Sequence, residues 1–159
     1  MPSLPPSLPI VVDSGLLAIL PSTEDEVAIQ AAPETAAGMI ADPELAKSAS
    51  AVAVGIVVAP GSSGAEDLAV ASVIQLRPGI FDDAFFSRWR LDYDEAACAP
   101  AGGVASHTQE VLGAHTVEVT VCRQGVRTYH AHLPGDVLVS VTSVGDRRFG
   151  QRIMAGLRR

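Results

Sequence analysis

Aromatic residues make up only 4% of this 159-residue chain, and its formal net charge is −7. Arginines at 147, 148, 152, 158 and 159 cluster near one end, but an acidic chain so poor in aromatics offers nucleic acid no surface, and none is expected as a partner. No apolar run reaches the roughly 18 residues that span a bilayer. The longest, Ala49 to Pro60, contains Ser50 and Gly55 and suits a buried strand, so no transmembrane helix is expected. Met1-Pro-Ser-Leu-Pro-Pro-Ser-Leu-Pro lacks the basic start and apolar stretch of a signal peptide. Gly61-Ser-Ser-Gly64 has neither the spacing nor the lysine of a phosphate loop, and a dinucleotide fingerprint is missing, so no cofactor is expected.

What is present is a hydrophobic chain, 48% apolar and 18% charged, which excludes wholesale disorder and allows one sizeable core. Charge is uneven: residues 1–70 hold nine acids and one base, Lys47, whereas residues 71–159 hold nine acids and ten arginines. An acidic, solvated surface follows, or a face for a basic partner. The proline-rich start favours an extended tether, so residues 1–14 are expected to be a linker and 15–159 a single domain.

Along the chain, Gly15 to Leu20 reads as a short apolar strand and Val27-Ala-Ile-Gln as another. Pro33-Glu34-Thr35 and Asp42-Pro43-Glu44 each put proline in a first turn beside a carboxylate, predicting two short helices, the second capped by Asp42. Ala51–Ala59 and Leu68–Leu76 are β-branched apolar runs that predict strands. Residues 82–97 predict a helix capped by Asp82, with Phe85, Phe86, Trp89 and Tyr93 as its apolar stripe and Arg88, Arg90, Asp92 and Asp94 turned to the other side.

After the break at Pro100, Gly102 and Gly103, turn signals at Gly113, Arg123-Gln-Gly125 and Pro134-Gly-Asp136 mark four strands over 104–112, 115–122, 126–133 and 137–144. Opposed residues of antiparallel strands share a face. Three-residue turns then set Val119 against Tyr129, Val117 against Ala131, Ala131 against Val139 and Tyr129 against Val141, giving one apolar face expected to receive the helix. A final helix, capped by Asp146, buries Phe149, Ile153 and Leu157. The expected class is α+β: an antiparallel β-meander with a long aromatic helix and a C-terminal helix packed on it. This order of elements from about Gly15 onward resembles the PsbP-like fold, which includes mycobacterial cell-envelope lipoproteins of the LpqN type. FDDAFFSRW and GVRTYHAHLP resemble secreted actinobacterial or Chloroflexi proteins of unknown function. The resemblance implies a small extracytoplasmic binding or accessory domain and carries over no catalytic residue.

Four groups of residues are candidates for chemistry. Cys98 ends the aromatic helix and Cys122 ends a valine strand; as a disulfide they would staple helix to sheet and point to an oxidising compartment. Buried thiols in a cytosolic protein are the alternative, and reactive or metal-bound thiols a third; the spacing is not CxxC. By parity Cys122 falls on the polar side of its strand, so the bridge is expected to need Cys98 to reach around the strand end. His130 and His132 alternate on one strand and could share a metal, though no zinc framework matches. Glu118, His130 and Ser140 fall in one rung of the polar face, the ingredients of nucleophilic catalysis, on a face that also carries Thr116, Thr120, Thr128 and Thr142 and is expected to be wet. No G-x-S-x-G surrounds Ser140. Phe85, Phe86, Trp89 and Tyr93 are core or the wall of an apolar pocket.

The expected function is therefore a non-enzymatic extracytoplasmic domain, tethered to the cell envelope through its N-terminus, that binds a protein partner or a small apolar ligand. A hydrolase on the Glu118–His130–Ser140 rung and a cytosolic structural or assembly protein are the rivals.

Overall fold

The computed structural model describes residues 10–21, 29–58, 67–145 and 148–159. The chain is mixed α and β, built on one eight-stranded sheet. Its elements are β1 (Val11–Val12), a 3-10 helix (Ser14–Ile19), β2 (Ile29–Ala31), α1 (Pro33–Ile40), α2 (Pro43–Ser48), β3 (Ala49–Val58) and β4 (Leu68–Leu76). Then follow α3 (Asp83–Cys98), β5 (Val104–Leu112), β6 (His115–Cys122), β7 (Val126–Leu133), β8 (Val137–Val144) and α4 (Phe149–Ala155). The strands lie in the order β1-β3-β4-β8-β7-β6-β5, with β2 also on β3, and every pair is antiparallel except β1 with β3.

Local chemistry sets the element ends. Asp82 caps α3 by accepting from Phe85 N at 2.6 Å, and Asp42 caps α2 by accepting from Glu44 N at 3.0 Å. Gly125 closes the β6–β7 turn in the left-handed region at φ 66°, which costs glycine nothing. The registers argued from the turns are found: Val119 opposite Tyr129, Tyr129 opposite Val141, Ala131 opposite Val139.

Other expectations change. Gly15–Leu20 is not a strand: Asp13 accepts from Gly15 N at 3.0 Å and caps a 3-10 helix whose leucines pack against the core. Val11 and Val12, expected in the tether, pair with Ala51 and Val52 in the sheet. The expected strand at 27–30 begins at Ile29 among the described residues, and the Asp146 cap and the 61–64 loop lie outside them.

The largest change concerns the faces. Tyr129, Ala131, Val117, Val119, Val139 and Val141 do form a dry face, but α4 covers it through Phe149, Ile153 and Met154, and the 3-10 helix through Leu16, Leu17 and Ile19. The long helix α3 lies on the opposite, polar face, which is dry where the helix covers it: Thr120, Thr128, His130 and Ser140 are buried, Thr142 is half-buried, and Thr116 stays exposed as expected. On that same face α1 and α2 cover Val52, Val54, Ile74 and Leu138. The protein is thus three layers, with a sheet that is apolar on one side and graded from apolar to polar on the other.

Candidate functional site

The graded face can be built strand by strand. Val54, Ser72, Ser140, His130, Glu118 and Gln109 form one rung across β3, β4, β8, β7, β6 and β5. A helix crossing the polar end of this rung must supply polar partners, because a buried hydroxyl or imidazole without one costs about 1–3 kcal/mol. The α3 helix supplies three. Trp89 donates from Nε1 to Ser140 Oγ at 3.0 Å, Tyr93 OH meets Thr142 Oγ1 at 2.7 Å, and Asp94 drops its carboxylate between β6 and β7.

Asp94 is the centre of the cluster. Its Oδ1 lies 2.7 Å from His130 Nε2 and accepts from Thr128 Oγ1 at 2.5 Å, and its Oδ2 accepts from Thr120 Oγ1 at 2.6 Å. The other imidazole nitrogen, His130 Nδ1, lies 2.8 Å from Ser140 Oγ. With its proton on Nε2, His130 donates to Asp94 and accepts from Ser140, whose oxygen in turn accepts the indole N–H. Tyr93 presents its ring edge-on to the imidazole, centroids 4.8 Å apart. Among the described residues the one buried side-chain nitrogen or oxygen left without a partner is His115 Nδ1, which is not in this cluster. The network is complete.

Burial alone would push the Asp94 carboxyl up, but the hydrogen bonds from His130, Thr120 and Thr128 and the attraction of His130 outweigh it, so its pKa falls below the usual carboxylate value. Burial pushes the Tyr93 phenol up, the Thr142 hydrogen bond pulls it back, and the Asp94 charge pushes it up further; the net direction is up.

Glu118 does not reach His130, although the two are register partners. It binds His107 Nε2 at 2.7 Å and Gln109 Nε2 at 3.1 Å, out towards the sheet edge, and Asp94 takes the place expected for it. Asp94 was expected on the solvent side of α3; it is 3% exposed. Its position was readable from Cys98, four residues later on the same helix face, given that Cys122 and Thr120 share a strand face. Cys98 and Cys122 are joined, with Cα atoms 5.1 Å apart. No detour around the strand end is needed, because α3 lies on the face to which Cys122 points. His130 and His132 do not converge on a metal: both nitrogens of His130 are engaged, while His132 stacks on Phe81 with centroids 3.5 Å apart and lies 3.4 Å from Asp136.

Ser140 is fully buried, and the Trp89 indole stands on its Oγ. The line Asp94–His130–Ser140 has the order of a catalytic triad but no free approach to the hydroxyl. On the outer side of Trp89 there is open space. A groove of about 770 Å³ runs between α3 and the α1–α2 pair, walled by Phe85, Trp89 and Tyr93 on one side and by Gly38, Met39 and Leu45 on the other. Phe86 is not part of its lining; it turns towards Phe81, ring centroids 5.7 Å apart. Charged residues of both signs, among them Arg88, Lys47, Glu44 and Asp92, stand around the groove. The α1–α2 wall was missed from the sequence because nothing local says that two short helices will face a third across the sheet.

No family model, curated protein or solved structure matches this chain. Among the described residues, no helix is long and apolar enough to cross a membrane.

Proposed function

We propose that this chain is a non-enzymatic, extracytoplasmic binding domain that holds a small apolar ligand in the groove between α3 and the α1–α2 pair, the kind of role that the PsbP-like resemblance implies. The observation that carries this reading is the groove itself: a concave, aromatic-walled space of about 770 Å³, within the size range of small-molecule sites. Beneath its wall, Trp89 is tied by its indole N–H to Ser140 and Tyr93 by its hydroxyl to Thr142. A rigid wall is what a ligand site needs, since side chains already ordered lose no further entropy on binding. The extracytoplasmic part rests on the Cys98–Cys122 bridge, because such bonds persist in oxidising compartments.

Trp89 is the only tryptophan of the chain, so its emission reports on the groove alone. Titration with anilinonaphthalene sulfonate and with dodecanoate is expected to shift or quench that emission saturably. Gly38 lies on the opposite wall, and a Cβ built on it meets nothing within 4 Å, so Gly38→Leu fills the groove without straining α1. That variant should lose binding and keep its melting temperature. Unaltered binding in Gly38→Leu, or no response of Trp89 to any apolar probe, removes the reading. Alkylation before reduction of protein taken from its native compartment tests the location: two reactive thiols would favour the cytosolic assembly protein instead.

The order Asp94–His130–Ser140 supports a second reading, a hydrolase with Ser140 as nucleophile, His130 as base and Asp94 rather than Glu118 as the orienting carboxylate. It requires Trp89 to leave the Ser140 hydroxyl when substrate enters. Hydrolysis of a panel of nitrophenyl esters, abolished in Ser140→Ala, would establish it, and an inert wild-type protein would exclude it.

A further inference from the structure

The two margins of the sheet are built differently. One is made of short pieces, β1 with two residues and β2 with three, both lying on β3. The other is β5, nine residues long and exposed at every position but the last. Native sheets protect long edges with proline, lysine, inward charges or a covering element, because unpaired backbone N–H and C=O groups otherwise recruit another strand. The β5 sequence VASHTQEVL has no proline or lysine, and two of the few large apolar side chains left exposed, Val104 at 43% and Val111 at 73%, are on it. Its one irregularity is a register shift between Val104 and Ser106, at its beginning.

We propose that β5 is the seam of a homodimer, in which it pairs antiparallel with β5 of a second copy about a two-fold axis through Thr108 and joins the two sheets into one. The choice of a second copy follows from the strand's own complementarity. Such an axis stands normal to the sheet, so opposed residues must share a face and Thr108, the middle residue of the strand, falls opposite itself. His107 then faces Gln109, and Ser106 faces Glu110, the one carboxylate of the strand, so no like charges are opposed. Val104 is paired with Cys122 and Val111 with Thr116, positions an even number of residues apart on β6, so the shift near Val104 brings both valines to the α3 face. Across the axis they meet each other. A seam centred on His107 would instead oppose two histidines, and one centred on Gln109 would set His107 against Val111; both also shorten the overlap.

The test uses the whole chain, with mass measured by sedimentation over a range of concentrations. The wild type is expected to pass from monomer to dimer. Thr108→Asp brings two carboxylates together at the axis and should weaken the dimer about fivefold, whereas Ser106→Lys adds two cross-strand pairs with Glu110 and should tighten it. Both positions are exposed, so melting temperature serves as the folding control. Mild oxidation of Thr108→Cys should give a reducible dimer, and Gln109→Cys, which faces His107, should not. A wild-type chain that stays monomeric up to near-millimolar concentration overturns the proposal, and so does equal crosslinking by both cysteine variants.

Discussion

Asp94 and Cys98 stand one turn apart on the buried edge of α3, and both reach the same strand: Asp94 through the Thr120 hydroxyl and Cys98 through the bond to Cys122. The carboxylate network and the disulfide are therefore two fixings of one helix to one sheet face. Tyr93, next to Asp94, and Trp89, just over a turn upstream, sit on the same attached helix.

Acid should release the helix first. The folded-state pKa of Asp94 is depressed, so its contribution to stability is fully present above the unfolded value of about 3.9 and is lost as pH falls through the lower, folded value. Asp94→Asn should cost about 2–4 kcal/mol near neutrality, because a buried paired charge loses its role while its partners remain buried. It should also flatten the acid limb of the stability curve. Urea unfolding followed from pH 2 to 7 checks both; parallel curves for wild type and variant would remove Asp94 as the acid-sensitive group.

Ser140→Ala should destabilise by about 1–3 kcal/mol, since it strands the Trp89 indole N–H and His130 Nδ1 in a buried place. A change in Trp89 emission should accompany the loss. Thermal unfolding by circular dichroism, with emission measured on the folded protein, reports both effects.

Reducing the Cys98–Cys122 bond, or replacing both residues by alanine, should cost about 3.5 kcal/mol in the chain-entropy model for a separation of 24 residues. Because the bond fixes one end of α3, hydrogen exchange should rise more in 83–98 than in β8. A uniform rise over the whole chain would contradict the idea that the bridge fixes the helix in particular.

Gly150 lies in the first turn of α4, where a Cβ would run into the Tyr129 ring and come within 2.9 Å of Ser143 Cβ. Gly150→Ala should therefore push α4 away from the dry face and cost about 1–3 kcal/mol by overpacking. A melting temperature equal to the wild type's would mean that the ring yields without cost.

The legible parts of this fold were those decided by near neighbours. Gly125 and the 134–136 turn lie between adjacent strands, so turn length and parity carried the pairing from β6 to β8 without further information. The caps at Asp42 and Asp82 were equally local. What escaped was non-local. Thr120 and Ser140 alternate with valines, and Thr128 and His130 flank Tyr129, as they would on a solvated face, and the alternation does not say whether water or a helix satisfies them. Asp94 was set among the solvent-facing charges for the same reason, since an ionised side chain is seldom buried unless paired, and its partners lie on distant strands. The place of β4 beside β8, and hence of α1 and α2 across from α3, depends on long-range pairing that no local pattern encodes.

That pairing bears on how the chain must be made. The central seam of the sheet joins 68–75 to 137–144, so β4 has no permanent neighbour on that side until residues 137–144 have left the ribosome. Until then β4 offers a bare apolar edge, the kind of transient species that aggregates or engages chaperones. Newly made chains should thus complete the sheet late, with formation of the β7–β8 hairpin acting as the moment of commitment.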